Sequence, residues 1–290
     1  MITIRKLSSS EFPSALEEIP DPPEELWLRG ELPDEDENVF LSVVGSRKYS
    51  RYGKDVCEKI IFGLRGYPVV IVSGLALGID SIAHRAAIDA GLKTLAIPGS
   101  GLDPAVIYPR ANAALADEIV TRGGALLSEF EPRFRATEWS FPKRNRLMAG
   151  ISKAVLVIEA EEKSGTLITA RLALDYNRDV FAVPGDVFSP SSAGTNRLIR
   201  EGAALISESG DVLRALGFEP SAEAGRENGD LLKDASAAER ALWELISEPI
   251  SKEELFRESG LAIQEFNTAI SLLEINGLIT EELGEIRRKA

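Results

Sequence analysis

Short apolar runs alternate along the chain with stretches in which apolar residues recur at helical spacing. The runs end in Gly, Ser or Pro, and segments such as 81–90 and 167–176 supply the helical stretches. Runs that are apolar on both faces suit a mostly parallel sheet covered by helices on each side. We therefore predict an α/β fold over residues 39–218, with strands at 39–44, 69–72, 94–97, 125–127, 154–158 and 180–183.

The pattern differs at both ends of the chain. Five prolines within residues 1–38 exclude a long helix, so we predict an ordered, proline-rich N-terminal arm. Residues 219–234 are polar, with little to bury, and are typical of a linker. Three amphipathic segments follow at 236–246, 252–259 and 263–276, and two short strands are predicted around Gly284. This order predicts a small winged-helix domain over residues 235–290.

Composition restricts the class of protein. A chain of 290 residues with 44% hydrophobic residues can bury a full core. Its single cysteine, Cys57, excludes an intramolecular disulfide and a multi-cysteine zinc site, and we expect no metal. The sequence has no apolar run as long as a signal peptide or a membrane span. We therefore expect a cytoplasmic protein that does not associate with membranes.

The net charge of −13 is distributed unevenly. Residues 1–38 and 219–290 each carry a net charge of −8, whereas residues 39–218 carry +3. The acidic ends are typical of a soluble protein and identify no partner, while the slightly basic middle permits a nucleic-acid partner.

The loops that follow the predicted strands are rich in glycine and serine. In an open parallel sheet, ligands bind where these loops meet the starts of helices. Backbone N–H groups at such a start attract anions, and Ser164, Gly165 and Thr166 are placed to provide them. The alternative is that these small residues only form tight turns.

Basic and aromatic residues are interleaved over residues 134–150. Lys143, Arg144 and Arg146 follow closely on Trp139 and Phe141. Cations bind phosphates and aromatic faces stack on unpaired bases, so this pattern favours a single strand over a duplex. A solvated run of charges beside core aromatics is the alternative.

The residues needed for common enzyme mechanisms are missing. His84 is the only histidine and lies in an apolar helix, without a nucleophile in a recognisable partner motif. Cys57 lacks the cationic surroundings of a reactive thiolate, and no dinucleotide or P-loop fingerprint follows a strand. We therefore predict no catalytic residue, no cofactor and no enzymatic activity.

Seven motifs, in this order, resemble the DNA-processing protein DprA (Smf) family: VVGSRKYSRYG, SGLALGIDSIAHRAAI, SEFEP, FPKRNRLMAGIS, SGTLITARLAL, FAVPGD and GTNRLIREGA. The resemblance implies an extended Rossmann-like fold that binds single-stranded DNA and forms a homodimer. It also implies delivery of strands to the RecA recombinase during natural transformation, without catalysis.

Residue by residue, the resemblance places the DNA site in three loops, with Gly74 and Gly78 shaping a fourth. Phe141 is the candidate for base stacking. The candidate nucleic-acid-binding residues are Gly45, Ser46, Arg47, Gly74, Phe141, Lys143, Arg144, Asn145, Arg146, Ser164, Gly165 and Thr166.

The predicted winged helix lacks the usual means of reading DNA. No Lys or Arg occurs from Glu258 to Ile286, although a recognition helix normally needs cations to contact phosphates. We therefore expect a protein-contact or regulatory module.

Two other functions stay open at this point. One is a Rossmann-type nucleotide phosphoribohydrolase, although Ala170 stands where its catalytic glutamate would fall. The other is a scaffold that binds a small nucleotide through the same loops.

Overall fold

The structure, a computed structural model, describes residues 3–220, 235–246, 249–276, 278–282 and 284–288. The chain divides into two compact units, Met1–Pro220 and Ser221–Ala290. Most of the predicted linker, residues 221–234, lies outside the described residues.

A nine-stranded sheet forms the first unit, with the strand order β1-β2-β6-β5-β4-β3-β7-β8-β9. The seven strands from β6 to β9 in this order are parallel, and β1 and β2 are antiparallel additions at one edge. The order reverses at β3, which pairs with β4 on one side and β7 on the other. The strands are β1 Ile4–Lys6, β2 Trp27–Gly30, β3 Val39–Val44, β4 Val69–Ser73, β5 Thr94–Ala96, β6 Ala125–Ser128, β7 Ala154–Val157, β8 Asp179–Ala182 and β9 Ala204–Leu205.

Helices cover both faces of this sheet. Alternate residues of a strand point to opposite faces, and in β3 Leu41 and Val43 join one hydrophobic core while Phe40 and Val44 join the other. The predicted α/β fold with a mostly parallel sheet is thereby confirmed. The helices are α1 Arg51–Phe62, α2 Ile79–Asp89, α3 Ala113–Thr121, α4 Ser140–Ile151, α5 Thr166–Asp175, α6 Ala193–Arg200 and α7 Ser209–Leu216.

The N-terminal arm is part of the sheet. Strand β2 pairs with β6 and β1 pairs with β2, while Leu16 and Ile19 pack beside Gly150 of α4. The prolines exclude a long helix, as expected, but they leave short extended segments free to pair with a sheet edge. Residues 1–38 are therefore not set apart from the fold that follows them.

The second unit has the predicted winged-helix outline. Its helices are α8 Ala237–Leu245, α9 Lys252–Ser259 and α10 Ile263–Ile275, and its strands are β10 Ile250–Ser251, β11 Ile279–Glu282 and β12 Glu285–Arg288. The strands form a small antiparallel sheet in the order β10-β12-β11. Leu242, Trp243, Phe266 and Ile286 are among the buried residues of its own core.

None of the helices in the described part of the chain combines the length and the apolar character needed to cross a membrane.

Because Leu28 of β2 is fully buried in the core that the arm shares with α4, we expect Leu28→Ala to lower the free energy of unfolding by about 2–5 kcal/mol. Leu174→Ala, at an exposed position of α5, is the matched control and should change it by no more than about 0.5 kcal/mol. Denaturant unfolding followed by circular dichroism measures both. Equal effects for the two variants would show that β2 is peripheral to the core.

Candidate nucleic-acid interface

A cleft of about 530 Å³ opens at the carboxyl edge of the large sheet. It lies between the loops that follow β3 and β7, beside the start of α5 and one face of α4. Here neighbouring parallel strands lead to helices on different sides, so their loops diverge and leave a crevice. We call it the switch-point cleft.

The switch-point cleft contains most of the predicted site residues. Three come from the loop after β3, three from α4 and three from the loop after β7. They are Gly45, Ser46, Arg47, Phe141, Arg144, Asn145, Ser164, Gly165 and Thr166.

Arg47 and Phe141 pair across the mouth of this cleft. The exposed Arg47 guanidinium lies 5.5 Å from the centroid of the Phe141 ring, which in turn lies 5.7 Å from the Tyr108 ring. A guanidinium held over a ring keeps its N–H edges available to other acceptors, since the ring contacts only its face. A cation and an aromatic surface are thus presented together.

Two loops of the cleft are fastened to each other at the start of α5. The Thr166 hydroxyl donates to the Gly45 carbonyl at 3.1 Å, and the Ser164 hydroxyl accepts from the Thr166 N–H at 3.2 Å. The first turn of this helix therefore faces the end of β3. Its partial positive charge favours an anion at that point.

Arg144 forms part of the cleft floor and is almost fully buried. Its guanidinium donates to the Ile97 carbonyl and packs directly against Gly74, where a Cβ would overlap it. Burial lowers the pKa of Arg144 to about 10, which leaves it protonated at neutral pH.

Asp80, which the sequence analysis did not select, also lines the cleft floor. Its carboxylate accepts from the N–H groups of Gly74 at 3.1 Å and Ala76 at 3.4 Å. Burial raises the pKa of Asp80, and the positive charge of Arg144 opposes that rise. Asp80 and Arg144 therefore lie close enough to interact electrostatically beneath the cleft.

Glu159 is a second buried carboxylate that sequence reasoning missed. It accepts from the Ser50 N–H at 2.9 Å, the Ser50 hydroxyl at 2.5 Å and the Ser191 hydroxyl at 3.1 Å. A Cβ at Gly53 would overlap this carboxylate. Three loops of the carboxyl edge, those after β3, β7 and β8, are thus joined at one side chain. The only signal in the sequence is an acid directly after a strand.

The structure gives Lys143 and Arg146 positions other than those expected, outside the lining of the switch-point cleft. Lys143 Nζ lies 3.3 Å from the Glu129 carboxylate, and the buried Arg146 pairs with Glu129 and with Asp21 at 3.3 Å. The reason is helical geometry: residues 141, 144, 145 and 148 share the cleft face of α4, whereas residues 143 and 146 lie on another face. Arg146 is consequently an internal ion-pair partner.

His84 and Cys57 are buried in the core. His84 Nδ1 lies 2.7 Å from the Thr94 hydroxyl, and burial lowers the pKa of this imidazole to about 3, so that it is neutral at physiological pH. Burial also raises the pKa of the Cys57 thiol. Across the described residues, no cluster of three His, Cys, Asp or Glu side chains is arranged to hold a metal ion.

Protein-family models match both units. The model described as DNA recombination-mediator protein A matches residues 3–217, and the DprA winged helix domain matches residues 228–285.

Curated relatives agree with these matches. DNA processing protein DprA of Streptococcus pneumoniae is 44% identical over 71% of this chain and 72% of its own length. Protein Smf of Escherichia coli is 43% identical over 73% of this chain, but the match spans only 56% of that relative.

Solved structures show the same likeness. The X-ray structure of DNA processing protein A from S. pneumoniae matches with a TM-score of 0.69 and 42% identity over 74% of this chain and 75% of that one. DNA processing protein A from Helicobacter pylori, whose structure is described in terms of its single-stranded DNA binding mode, matches with a TM-score of 0.66 and 32% identity over 74% of this chain and 96% of that one. The chain therefore belongs to the DNA recombination-mediator protein A family, to which the DprA and Smf proteins it resembles also belong.

Proposed function

We propose that this protein binds single-stranded DNA in the switch-point cleft. The observation that carries the proposal is the exposed Arg47 guanidinium, which lies over the Phe141 ring at 5.5 Å from its centroid, beside the start of α5. An unpaired strand alternates phosphates with bases. The cation and the start of the helix can each bind a phosphate, and the ring face can stack on the base between them. The H. pylori relative, described as binding single-stranded DNA, supports the same ligand for this chain.

In the proposed complex each group of the cleft has a distinct task. Arg47 and the first turn of α5 hold phosphates, Phe141 stacks on a base, and the Asn145 amide is available to a base edge. Arg144, Asp80 and Gly74 keep the floor in place beneath them. Lys143 has a half-exposed ammonium on α4 and is proposed as an outer phosphate contact. No bond is made or broken, so affinity comes from these contacts alone.

The wider role proposed here is that of a recombination mediator. We propose that the protein delivers single strands to a RecA recombinase on incoming DNA in natural transformation, acting as a homodimer in the cytoplasm. Membership of a family described as a DNA recombination mediator, with a DNA processing protein among its relatives, supports the mediator role. Holding an exposed strand without reading its sequence suits such a role, because incoming DNA is arbitrary in sequence.

Arg47→Ala should weaken binding of a dT oligomer by about 1–3 kcal/mol, roughly 5- to 150-fold, because it removes a charge-assisted phosphate contact from an exposed loop. Arg85→Ala, which removes an exposed arginine from α2, is the matched control and should bind like the wild type. Fluorescence anisotropy measures both affinities. A folded Arg47→Ala protein with wild-type affinity would refute the assignment of the cleft.

The Arg47→Ala variant also tests the mediator role. If the cleft delivers strands to RecA, this variant should promote RecA filament formation less than the wild type does, while Arg85→Ala should not differ. A wild-type protein without effect on RecA would leave single-strand binding standing and refute the mediator proposal.

Salt and strandedness separate this function from that of a small-nucleotide scaffold. Neutralising about four to six phosphates should give a slope of log K against log salt of roughly −3 to −4, at about 0.7 per phosphate for a single strand. A matched duplex should bind more weakly, since paired bases hide their faces from Phe141. Titrations of dT oligomer, duplex and mononucleotide at several salt concentrations measure this. Equal affinity for duplex, or a slope near zero, would contradict the proposal.

Removing residues 221–290 should leave single-strand affinity nearly unchanged. Unit Met1–Pro220 contains the whole cleft, and α10 carries no Lys or Arg with which to hold phosphates. The comparison is anisotropy with the same dT oligomer for the full chain and the truncated one. A loss greater than about tenfold, roughly 1.4 kcal/mol, would make the winged helix a DNA-binding element.

A further inference from the structure

Exposed aromatic rings are concentrated at one edge of the large sheet. Among the described residues, five aromatic side chains are between 46% and 92% exposed, and the others are buried or half-buried. Each of the five follows the carboxyl end of a parallel strand: Tyr49 and Tyr52 after β3, Tyr108 after β5, Trp139 after β6 and Phe188 after β8. Core packing does not explain this placement, because these rings are the ones that the core leaves out.

Phe188 is the most exposed of these rings, at 92%, and Val187 beside it is 81% exposed. An ordered turn presents them: the Phe188 N–H donates to the Asp186 carboxylate at 2.8 Å, and the Ser189 N–H donates to the Asp186 carbonyl at 3.0 Å. The turn is held by backbone bonds and by Asp186. The Phe188 side chain therefore adds little to the stability of its own loop.

The loop that carries Phe188 is tied to the loop that borders the switch-point cleft. The Tyr52 hydroxyl donates to the Pro184 carbonyl at 2.7 Å, and Ser50 and Ser191 both donate to Glu159. Tyr49 thus lies on the loop after β3, Tyr52 in the first turn of α1, and Phe188 on the loop after β8. These three exposed rings therefore extend from the border of the cleft toward the carboxyl end of β8.

We propose that Phe188, with Tyr49 and Tyr52, forms a second base-stacking platform that extends the path of the single strand beyond the switch-point cleft. This proposal rests on the proposed function. β8 lies two strands from β3, about 10 Å at the usual strand spacing, so a single strand needs a few additional nucleotides to reach the platform from the cleft. The platform should therefore contact a DNA strand only when that strand is too long to be held by the cleft alone.

The charges near the platform indicate how it binds. Lys48 and Lys163 lie on the flanking loops, but Glu161, Glu162 and Asp186 lie there as well. Phosphates gain no net attraction from such a mixture, whereas a ring face attracts any unpaired base. Binding at the platform therefore depends on stacking and should be nearly independent of salt.

The test is a length series of dT oligomers, from four to sixteen nucleotides, titrated by anisotropy against the full-length protein. Phe188→Ala should bind the shortest oligomers like the wild type and oligomers at least three nucleotides longer about tenfold more weakly. Its slope of log K against log salt should equal that of the wild type, whereas Arg47→Ala should lower both affinity and slope at every length. Phe188→Trp should retain the affinity for long oligomers.

Ile275→Ala is the control, because it truncates another highly exposed apolar side chain, on α10, and should have no effect at any length. Wild-type affinity of Phe188→Ala at all lengths would overturn the platform, as would an equal loss at all lengths, which would place Phe188 in the cleft. If Phe188→Ala changed the sedimentation coefficient of the protein but not its affinity for the oligomers, that result would also overturn the platform and would indicate that Phe188 contacts another copy of the chain. Failure of the wild type to bind any oligomer would instead refute the proposed function.

Discussion

The reversal of strand order at β3 positions every group in the switch-point cleft. Because β4 and β7 pair with opposite edges of β3, the loops after β3 and β7 diverge. The backbone does not fill the space between these loops. One buried carboxylate, Glu159, prevents these loops from separating further by accepting hydrogen bonds from Ser50 and Ser191. Such a group would be costly to bury without these donors, so its bonding also fixes the geometry of the loops.

The arginines of helix α4 lie in two different surroundings. Arg144 turns toward the cleft floor, where Asp80 lies close enough to oppose its charge, and Arg146 turns toward Glu129. Each of these buried cations depends on its partner, since an unpaired charge would be costly to bury. In the proposed complex the phosphates contact exposed cations, above all Arg47, whose guanidinium lies 5.5 Å from the centroid of the Phe141 ring.

An overall charge of −13 is compatible with a nucleic-acid cleft because the charges are separated. Glu11, Glu31 and Glu35 surround a depression that also includes Phe40, at the start of β3, whereas Arg47 follows its end. A strand of six residues is about 20 Å long, more than twice the Debye length of about 8 Å at physiological salt. In the proposed complex, the acids at the amino edge would therefore repel a DNA strand at the carboxyl edge only weakly.

The sequence by itself determined the α/β alternation, the winged-helix outline and the loops that line the switch-point cleft, because apolar periodicity and turn residues are local properties. It did not reveal that β1 and β2 join the sheet, since the pairing of β2 with β6, to which β1 is added, depends on contacts distant in sequence. It also could not separate Arg144 from Arg146, or select Asp80 and Glu159. A side chain's role there depends on the helix face and on the loop brought against it, which only the packing of distant segments decides.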